Sequence, residues 1–214
     1  MKRREFSVAA ASALAAGTLA LPAHAQGKPE EGTHYLALDK RVPTEAPAGK
    51  IEVVEFFWYS CPHCNAFEPK LEAWIKRVPP DVVVRRVPVA FRENFVPQQR
   101  LFYSLEALGK LEEMHRKVFA AIHGGGEKLD TQESILAWVE KQGIDKAKFL
   151  EQYNSFSVSS KARKAAQLQQ GFGVQGVPAL GIAGRWYTDG TVAGNMDRAL
   201  LVADYLLAEA RKSK

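Results

Sequence analysis

Cys61-Pro62-His63-Cys64 sets the two cysteines of this 214-residue chain three positions apart, with a proline and a histidine between them. Residues nearly one helical turn apart fall within the about 4.4–6.8 Å Cα separation that a disulfide spans, so the pair can close and reopen without refolding. If the motif opens a helix, the Cys61 sulfur meets unpaired backbone N–H groups and the positive end of the helix dipole, and both favour thiolate over thiol. Pro62 suits the first turn because its missing N–H would have no partner there. An imidazole at His63, cationic or donating an N–H, stabilises the Cys61 thiolate further. Stabilising the reduced form makes the disulfide more oxidising, by about 30 mV for each ~1.4 kcal/mol, so donation of the disulfide is favoured over reduction. Two other uses of the pair compete. A zinc site needs about four ligands, yet His34, His115 and His123 are distant and no second C-x-x-C exists, so no metal is expected. An inert structural disulfide closing so small a loop would contribute little.

The elements that must position this motif are legible around it. Ile51 to Phe57 (IEVVEFF) is nearly continuous in β-branched and aromatic residues, as expected of a strand buried on both faces. From Pro62 to about Val78 a stripe of Phe67, Leu71, Trp74, Ile75 and Val78 predicts a helix that Pro79-Pro80 ends. Val82 to Val89 is β-rich again, giving a βαβ unit with parallel strands. From Phe95 to Gly171 the spacing predicts helix after helix: Pro97–Leu108, Leu111–His123, Thr131–Gln142, Asp145–Tyr153 and Ser157–Gln170. A hairpin then follows, Ala179–Ile182 and Arg185–Thr188 about a turn at Ala183-Gly184, and a last helix from Met196 to about Arg211. His34 to Leu38 reads as an edge strand. A helical unit inserted into a small α/β domain explains this order.

Composition narrows the class. With 46% hydrophobic and 25% charged residues the chain can build a core without a disulfide framework, which excludes a cysteine-stapled miniprotein and a disordered chain. Lys2, Arg3 and Arg4 lead into an apolar stretch from Phe6 to Leu21, and Ala23 and Ala25 fit an A-x-A cleavage site, so residues 1–25 read as an export signal. Arg3-Arg4-Glu5-Phe6 also fits a twin-arginine export motif. Removing Lys2, Arg3, Arg4 and Glu5 takes the formal +5 down to +3, too mild to argue for nucleic acid.

A C-x-x-C beside a βαβ pattern reads as a thioredoxin-like redox motif, and at this point the sequence resembles the DsbA family of periplasmic thiol:disulfide oxidoreductases. The matching residues are Val54-Glu55-Phe56-Phe57, Cys61-Pro62-His63-Cys64, and Gly176-Val177-Pro178-Ala179 followed by the Gly184 hairpin. The resemblance implies an α/β thioredoxin fold with an inserted all-helical domain: a cleavable signal at 1–25, the thioredoxin-like domain at 26–94 and 173–214, and the insert at 95–172. It implies a monomeric dithiol oxidase of the periplasm, without a dissociable cofactor. Such a protein donates its Cys61–Cys64 disulfide to reduced, newly exported proteins through a mixed disulfide, and a quinone-linked membrane partner, DsbB, reoxidises it. Cys61 is then the exposed nucleophile, Cys64 the buried partner, Pro62 and His63 tune the thiolate, and Val177-Pro178 is a cis-proline loop that offers backbone groups to an extended substrate.

Glu55 stands in an apolar strand, where burial would raise its pKa and suit it to relay a proton to Cys64; the alternative is a solvated carboxylate on an edge strand. The family's lysine near this glutamate aligns best with Arg86, which stays charged and can serve only as an electrostatic partner. Trp58, Tyr59, Phe67, Phe91 and Phe172 are candidates for a substrate groove or for core. The rival functions are a reductase or isomerase of the same fold, and a chaperone-like peptide-binding module.

Overall fold

The computed structural model describes residues 27–213, so the expected signal at 1–25 lies outside the described residues. In chain order the elements are β1 (Leu36–Ala37), β2 (Ile51–Phe57), α1 (Pro62–Ile75), β3 (Val82–Pro88), a 3-10 turn at Glu93–Phe95, α2 (Val96–Ala107), α3 (Leu111–His123), α4 (Gln132–Lys141), α5 (Lys146–Tyr153), α6 (Phe156–Gly171), β4 (Ala179–Ile182), β5 (Trp186–Asp189) and α7 (Met196–Lys212). α1 stops at Ile75, short of Val78, because a residue that precedes a proline is pushed out of the helical region and Pro79 follows directly. The starts of α4 and α5 are set by side chains. Thr131 and Ser134 form a capping box, and the Asp145 carboxylate accepts from the Lys148 N–H at 3.0 Å.

The sheet runs β1-β5-β4-β2-β3. β2 pairs parallel with β3 and antiparallel with β4, so it is central, and all seven of its residues are buried. Five consecutive helices separate β3 from β4, as the βαβ, helices, ββα order of the sequence predicts. One apolar layer joins Ile51, Val53, Leu180 and Ile182 of the sheet to Phe67, Leu71 and Trp74 of α1 and to Leu206 of α7. The Trp74 indole N–H donates to Asp204 at 2.8 Å and ties α1 to α7. The second layer joins Val54, Phe56 and Phe57 to the helical block, including Leu101, Leu105, Val118 and Phe119. Each fully buried side chain of this size stabilises by roughly 1.5–3 kcal/mol, so the two layers fix β2 and the start of α1 rigidly.

The hairpin turn places Ala183 and Gly184 at φ 54° and 63°, the two-residue left-handed geometry that matches strand twist. Gly184 has a second reason to be glycine: a Cβ there would sit 2.1 Å from the Val42 carbonyl oxygen, whose own N–H bonds the Gly184 carbonyl at 2.8 Å. Gly32 shares the left-handed φ, at 79°, but has no neighbour within 4 Å. Gly184→Ala is expected to cost about 2–3 kcal/mol and Gly32→Ala about 1 kcal/mol. Denaturant midpoints with unchanged slopes measure both, and equal losses would show that φ alone, and not the backbone contact, demands glycine.

Candidate active site

β2 ends at Phe57, and Trp58-Tyr59-Ser60 carries the chain to Cys61, which caps α1. Cys61 has extended backbone geometry (φ −82°, ψ 116°), and its sulfur accepts from the Cys64 N–H at 3.4 Å. Pro62 occupies the first helical turn as expected, and Pro62, His63 and Cys64 place no carboxylate there. Both cysteines are thiols. Cys61 is only 7% exposed and Cys64 fully buried, so the nucleophile is more enclosed than the resemblance implies. The cause lies across from it, where the Val177 carbonyl accepts from the Cys61 thiol at 3.4 Å. The Val177-Pro178 peptide is cis.

The two sulfurs differ sharply in acidity. A hydrogen bond from the Cys64 thiol leads in lowering Cys61, burial opposes it, and the Cys64 and His63 backbone N–H groups and finally the His63 ring add to it, bringing Cys61 down to about 6. Burial, with the hydrogen bond to Cys61 next, pushes Cys64 far above its ordinary value. His63, exposed on the surface, is therefore the smallest of these contributions, behind the helix backbone. A cavity of about 300 Å3 opens beside the thiols, lined by His63, Gly176, Val177, Pro178, Gly190 and Met196. None of the aromatic groove candidates lines it. Tyr59, Phe67 and Phe172 are core, while Trp58 and Phe91 are half-buried against it.

Beneath Cys64 lies a charge cluster that brings together Glu55 and Arg86, both candidates from the sequence, with Glu68. Glu55 is fully buried on the central strand, which removes the edge-strand alternative, and Arg86 is its cross-strand partner in β3. The Arg86 Nε lies 3.3 Å from Glu55 Oε2, and its other arm forms an ion pair with Glu68. Burial, followed by the charge of Glu68, raises Glu55 well above the usual carboxylate range against the pull of Arg86. Glu68 is also buried, but His115 and Arg86 outweigh that burial and leave it lowered. Its spacing from Cys64, four residues along the same helix, is the sequence signal for Glu68.

The helical block grips the segment that enters Cys61. Gln98 accepts from the Ser60 N–H at 3.2 Å and donates to the Ser60 hydroxyl at 2.6 Å. The His123 Nε2–H donates to the Tyr59 carbonyl at 2.8 Å, and Phe95 stacks on Trp58 with ring centroids 3.8 Å apart. His115 reaches the Tyr59 hydroxyl at 2.9 Å. Nothing in the local sequence of α2 or α3 marks these residues as partners of the motif, because their contacts span 37 to 64 positions and exist only once the block folds back.

Residues 52–205 match a family model described as a DSBA-like thioredoxin domain. The thiol:disulfide interchange protein DsbA of Bordetella parapertussis is 43% identical over 205 residues, 95% of each chain. That of Pseudomonas aeruginosa is 40% identical over 180 residues, 84% of this chain and 85% of its own. The crystal structure of the Pseudomonas aeruginosa DsbA superposes with a TM-score of 0.80 at 40% identity, covering 85% of this chain and 94% of that one. The oxidoreductase DsbA from Xylella fastidiosa gives 0.80 at 29% identity, covering 87% and 100%. The sheet with its helical block between β3 and β4 is the thioredoxin fold of these proteins.

The lowered pKa of Cys61 has a sign in stability. Its folded value of about 6 lies below the ordinary 9.0, so the reduced protein gains stability above the unfolded value and loses it as pH falls through about 6. The oxidised protein has no thiol to titrate. Reduced and oxidised forms should therefore differ in stability increasingly in favour of the reduced form as pH rises from about 6 towards 9. Paired denaturant unfolding of both forms across that range checks this, and a pH-independent difference would place the Cys61 titration elsewhere.

Proposed function

Since the chain belongs to the DsbA family and is a thiol:disulfide interchange oxidoreductase with Cys61 and Cys64 as its C-x-x-C pair, we propose that it works as a dithiol oxidase, donating that disulfide to reduced, newly exported proteins. The observation that carries the direction is the contrast between the sulfurs: Cys61 is held as a thiolate near neutral pH while Cys64 keeps its proton. A disulfide whose reduced state is stabilised in this way is a strong acceptor of electrons.

The steps follow from the geometry. A substrate thiolate attacks the Cys61 sulfur, the bond to Cys64 breaks, and Cys64 leaves carrying the electron pair. Glu55, kept protonated by burial, supplies the proton that makes Cys64 a thiol. A second substrate thiolate then attacks the substrate sulfur of the mixed disulfide, and Cys61 leaves as the stabilised thiolate. The substrate loses two electrons to the cysteine pair, and no dissociable cofactor enters. Arg86 is fixed in charge and serves as counter-ion to Glu55 and Glu68, with no part in moving the proton. Val177 and Pro178, lining the cavity beside His63, offer main-chain groups to an extended substrate segment. His63 adds to the thiolate preference set first by the Cys64 thiol and then by the helix backbone.

On the same reading the chain divides into a thioredoxin-like domain at 26–94 and 173–214 and a helical domain at 95–172, preceded by a signal at 1–25 that directs it to the periplasm. The chain acts as a monomer and is reoxidised by a DsbB-like quinone-linked membrane oxidase. What supports these points is the family membership over 95% of the chain.

Cys61→Ser is expected to reduce oxidative folding of a reduced substrate protein to the uncatalysed rate, and a normal rate would leave only a peptide-binding module. A redox titration against glutathione should give a potential far more positive than the about −270 mV of thioredoxin; a value near that figure would support the reductase reading. Glu55→Gln is expected to slow release of Cys64 by about tenfold or more, measured as mixed-disulfide formation in single turnover, and an unaltered rate would make Glu55 structural.

A further inference from the structure

His115 stands apart from the residues considered so far because one imidazole touches both halves of the thiol machinery. It comes from α3, in the helical block, and is 5% exposed among the rings of Phe57, Tyr59, Phe102 and Phe119, with centroids 5.2, 5.3, 6.0 and 5.3 Å away. Its Nδ1 lies 2.9 Å from the Tyr59 hydroxyl, on the segment that enters Cys61. Its Nε2 lies 3.5 Å from Glu68 Oε2, within ion-pair reach but outside hydrogen-bond geometry, in the cluster beneath Cys64. The partners decide the tautomer. Glu68 is ionised and can only accept, while burial keeps the Tyr59 hydroxyl protonated, so Nε2 carries the hydrogen towards Glu68 and Nδ1 accepts from Tyr59.

We infer that His115 is a positioning residue for disulfide exchange: it fixes Tyr59 by a hydrogen bond at Nδ1 and sets its Nε2 beside Glu68, so that the helical block helps to set how readily Cys64 reacts. The inference rests on the proposed role of Cys64 as the buried exchanging thiol. Burial holds His115 neutral, against the pull of Glu68 and Glu72 on α1 and with the help of Arg86 on β3. Phe57 of β2 and Phe102 of α2 bring no charge, and Arg116 on its own helix is engaged by Glu72 at 3.3 Å. His115 therefore acts as a neutral donor and acceptor. The N–H dipole beside Glu68 joins Arg86 in keeping it ionised, ionised Glu68 holds one arm of Arg86, and the other arm faces Glu55. His115 and Arg86 also line a cavity of about 290 Å3 on the outer side of β3, which brings the cluster's edge close to solvent.

The test follows the reaction in the direction that uses Cys64 as nucleophile. Reduced protein is mixed with oxidised glutathione. The Cys61 thiolate attacks it, releasing one glutathione thiolate and leaving a Cys61–glutathione disulfide. Cys64 then gives its proton to the cluster and attacks Cys61, expelling the second glutathione thiolate. Without the His115 N–H, Glu68 holds a proton more tightly, so the cluster releases its shared proton at higher pH. His115→Phe keeps the aromatic packing and removes both nitrogens, whereas His115→Gln loses the ring but can still accept from Tyr59 and donate to Glu68. The pH midpoint of the resolution step is expected to rise by about half a unit or more in the Phe variant, about threefold in proton affinity, and to return towards the unaltered value in the Gln variant.

A role in packing alone predicts the reverse order, with Phe tolerated and Gln lowering thermal stability while neither moves the profile, and that result would overturn the inference. A second measurement needs no variant: nitrogen-15 shifts of the unaltered protein should show His115 as the neutral Nε2–H tautomer, and a cation or the other tautomer at neutral pH would equally overturn it. If the unaltered protein forms no glutathione adduct, the exchange reading fails and this one with it. Normal exchange with an unmoved profile in the Phe variant removes His115 alone.

Discussion

A negative sulfur has to be held at the start of α1 one turn away from a sulfur that must stay protonated, and most of the structure answers to that requirement. A hydrogen bond from the Cys64 thiol leads in meeting the first half, and the backbone adds to it. Cys61 sits at the N-cap, where the Cys64 and His63 N–H groups point at it and Pro62 wastes no donor. Burial meets the second half, since Cys64 lies at the interior end of the same turn with no exposure at all. These positions are only as fixed as the strand that leads into them, which is why β2 is central, paired on both sides and buried along its length. A strand free to shift by one residue would exchange its inward and outward side chains and carry Glu55 away from Arg86.

The second constraint is electrostatic. Two buried carboxylates, Glu55 and Glu68, share one guanidinium, and a single cation cannot compensate both in a medium of low polarity. The conflict resolves by division of labour. Glu68 has the ion pair with Arg86 and the imidazole of His115 and remains charged, while Glu55, with one longer contact at 3.3 Å, keeps its proton. The cluster is then neutral as a whole and holds one mobile proton on Glu55, whose charge acts on the buried thiol. Arginine suits this better than lysine would, because its charge is fixed and the proton can leave only from a carboxyl group.

How far the sequence revealed this depends on the range of each interaction. Features set within a few residues were legible: the hairpin at Ala183-Gly184, the cap at Asp145, the bounds of α3, and the placement of Cys61 at a helix start all follow from local chemistry. So does β2, whose nearly continuous β-branched and aromatic run points to a strand buried on both faces. Glu55 was conspicuous as a carboxylate in that run, and Arg86 came from the family likeness. Glu68 does not stand out, because an acidic residue in a helix is ordinarily solvated and only its four-residue step from Cys64 marks it. His115 was hidden for the opposite reason, since it occupies a position in the apolar stripe of Met114, Val118 and Phe119 where an imidazole reads as packing. Of the two roles open to the aromatic residues near the motif, Tyr59, Phe67 and Phe172 take the core, while the opening beside the thiols is lined by Gly176, Val177, Pro178 and Gly190 among others.

The insertion between β3 and β4 is therefore more than a lid added to a finished domain. Phe95, Gln98, His115 and His123 come from the 3-10 turn, α2 and α3, and all of them meet the three residues Trp58, Tyr59 and Ser60. A three-residue connection between a buried strand and a helix N-terminus has few constraints of its own, and its backbone decides where Cys61 stands relative to the Val177 carbonyl. Holding it from one side with side chains of another element leaves the opposite side open to the cavity lined by the cis-proline loop. The chain keeps no cysteine besides the working pair, so no third thiol can intercept the disulfide. A core that needs no covalent cross-link makes that economy possible, and the helical block supplies much of that core.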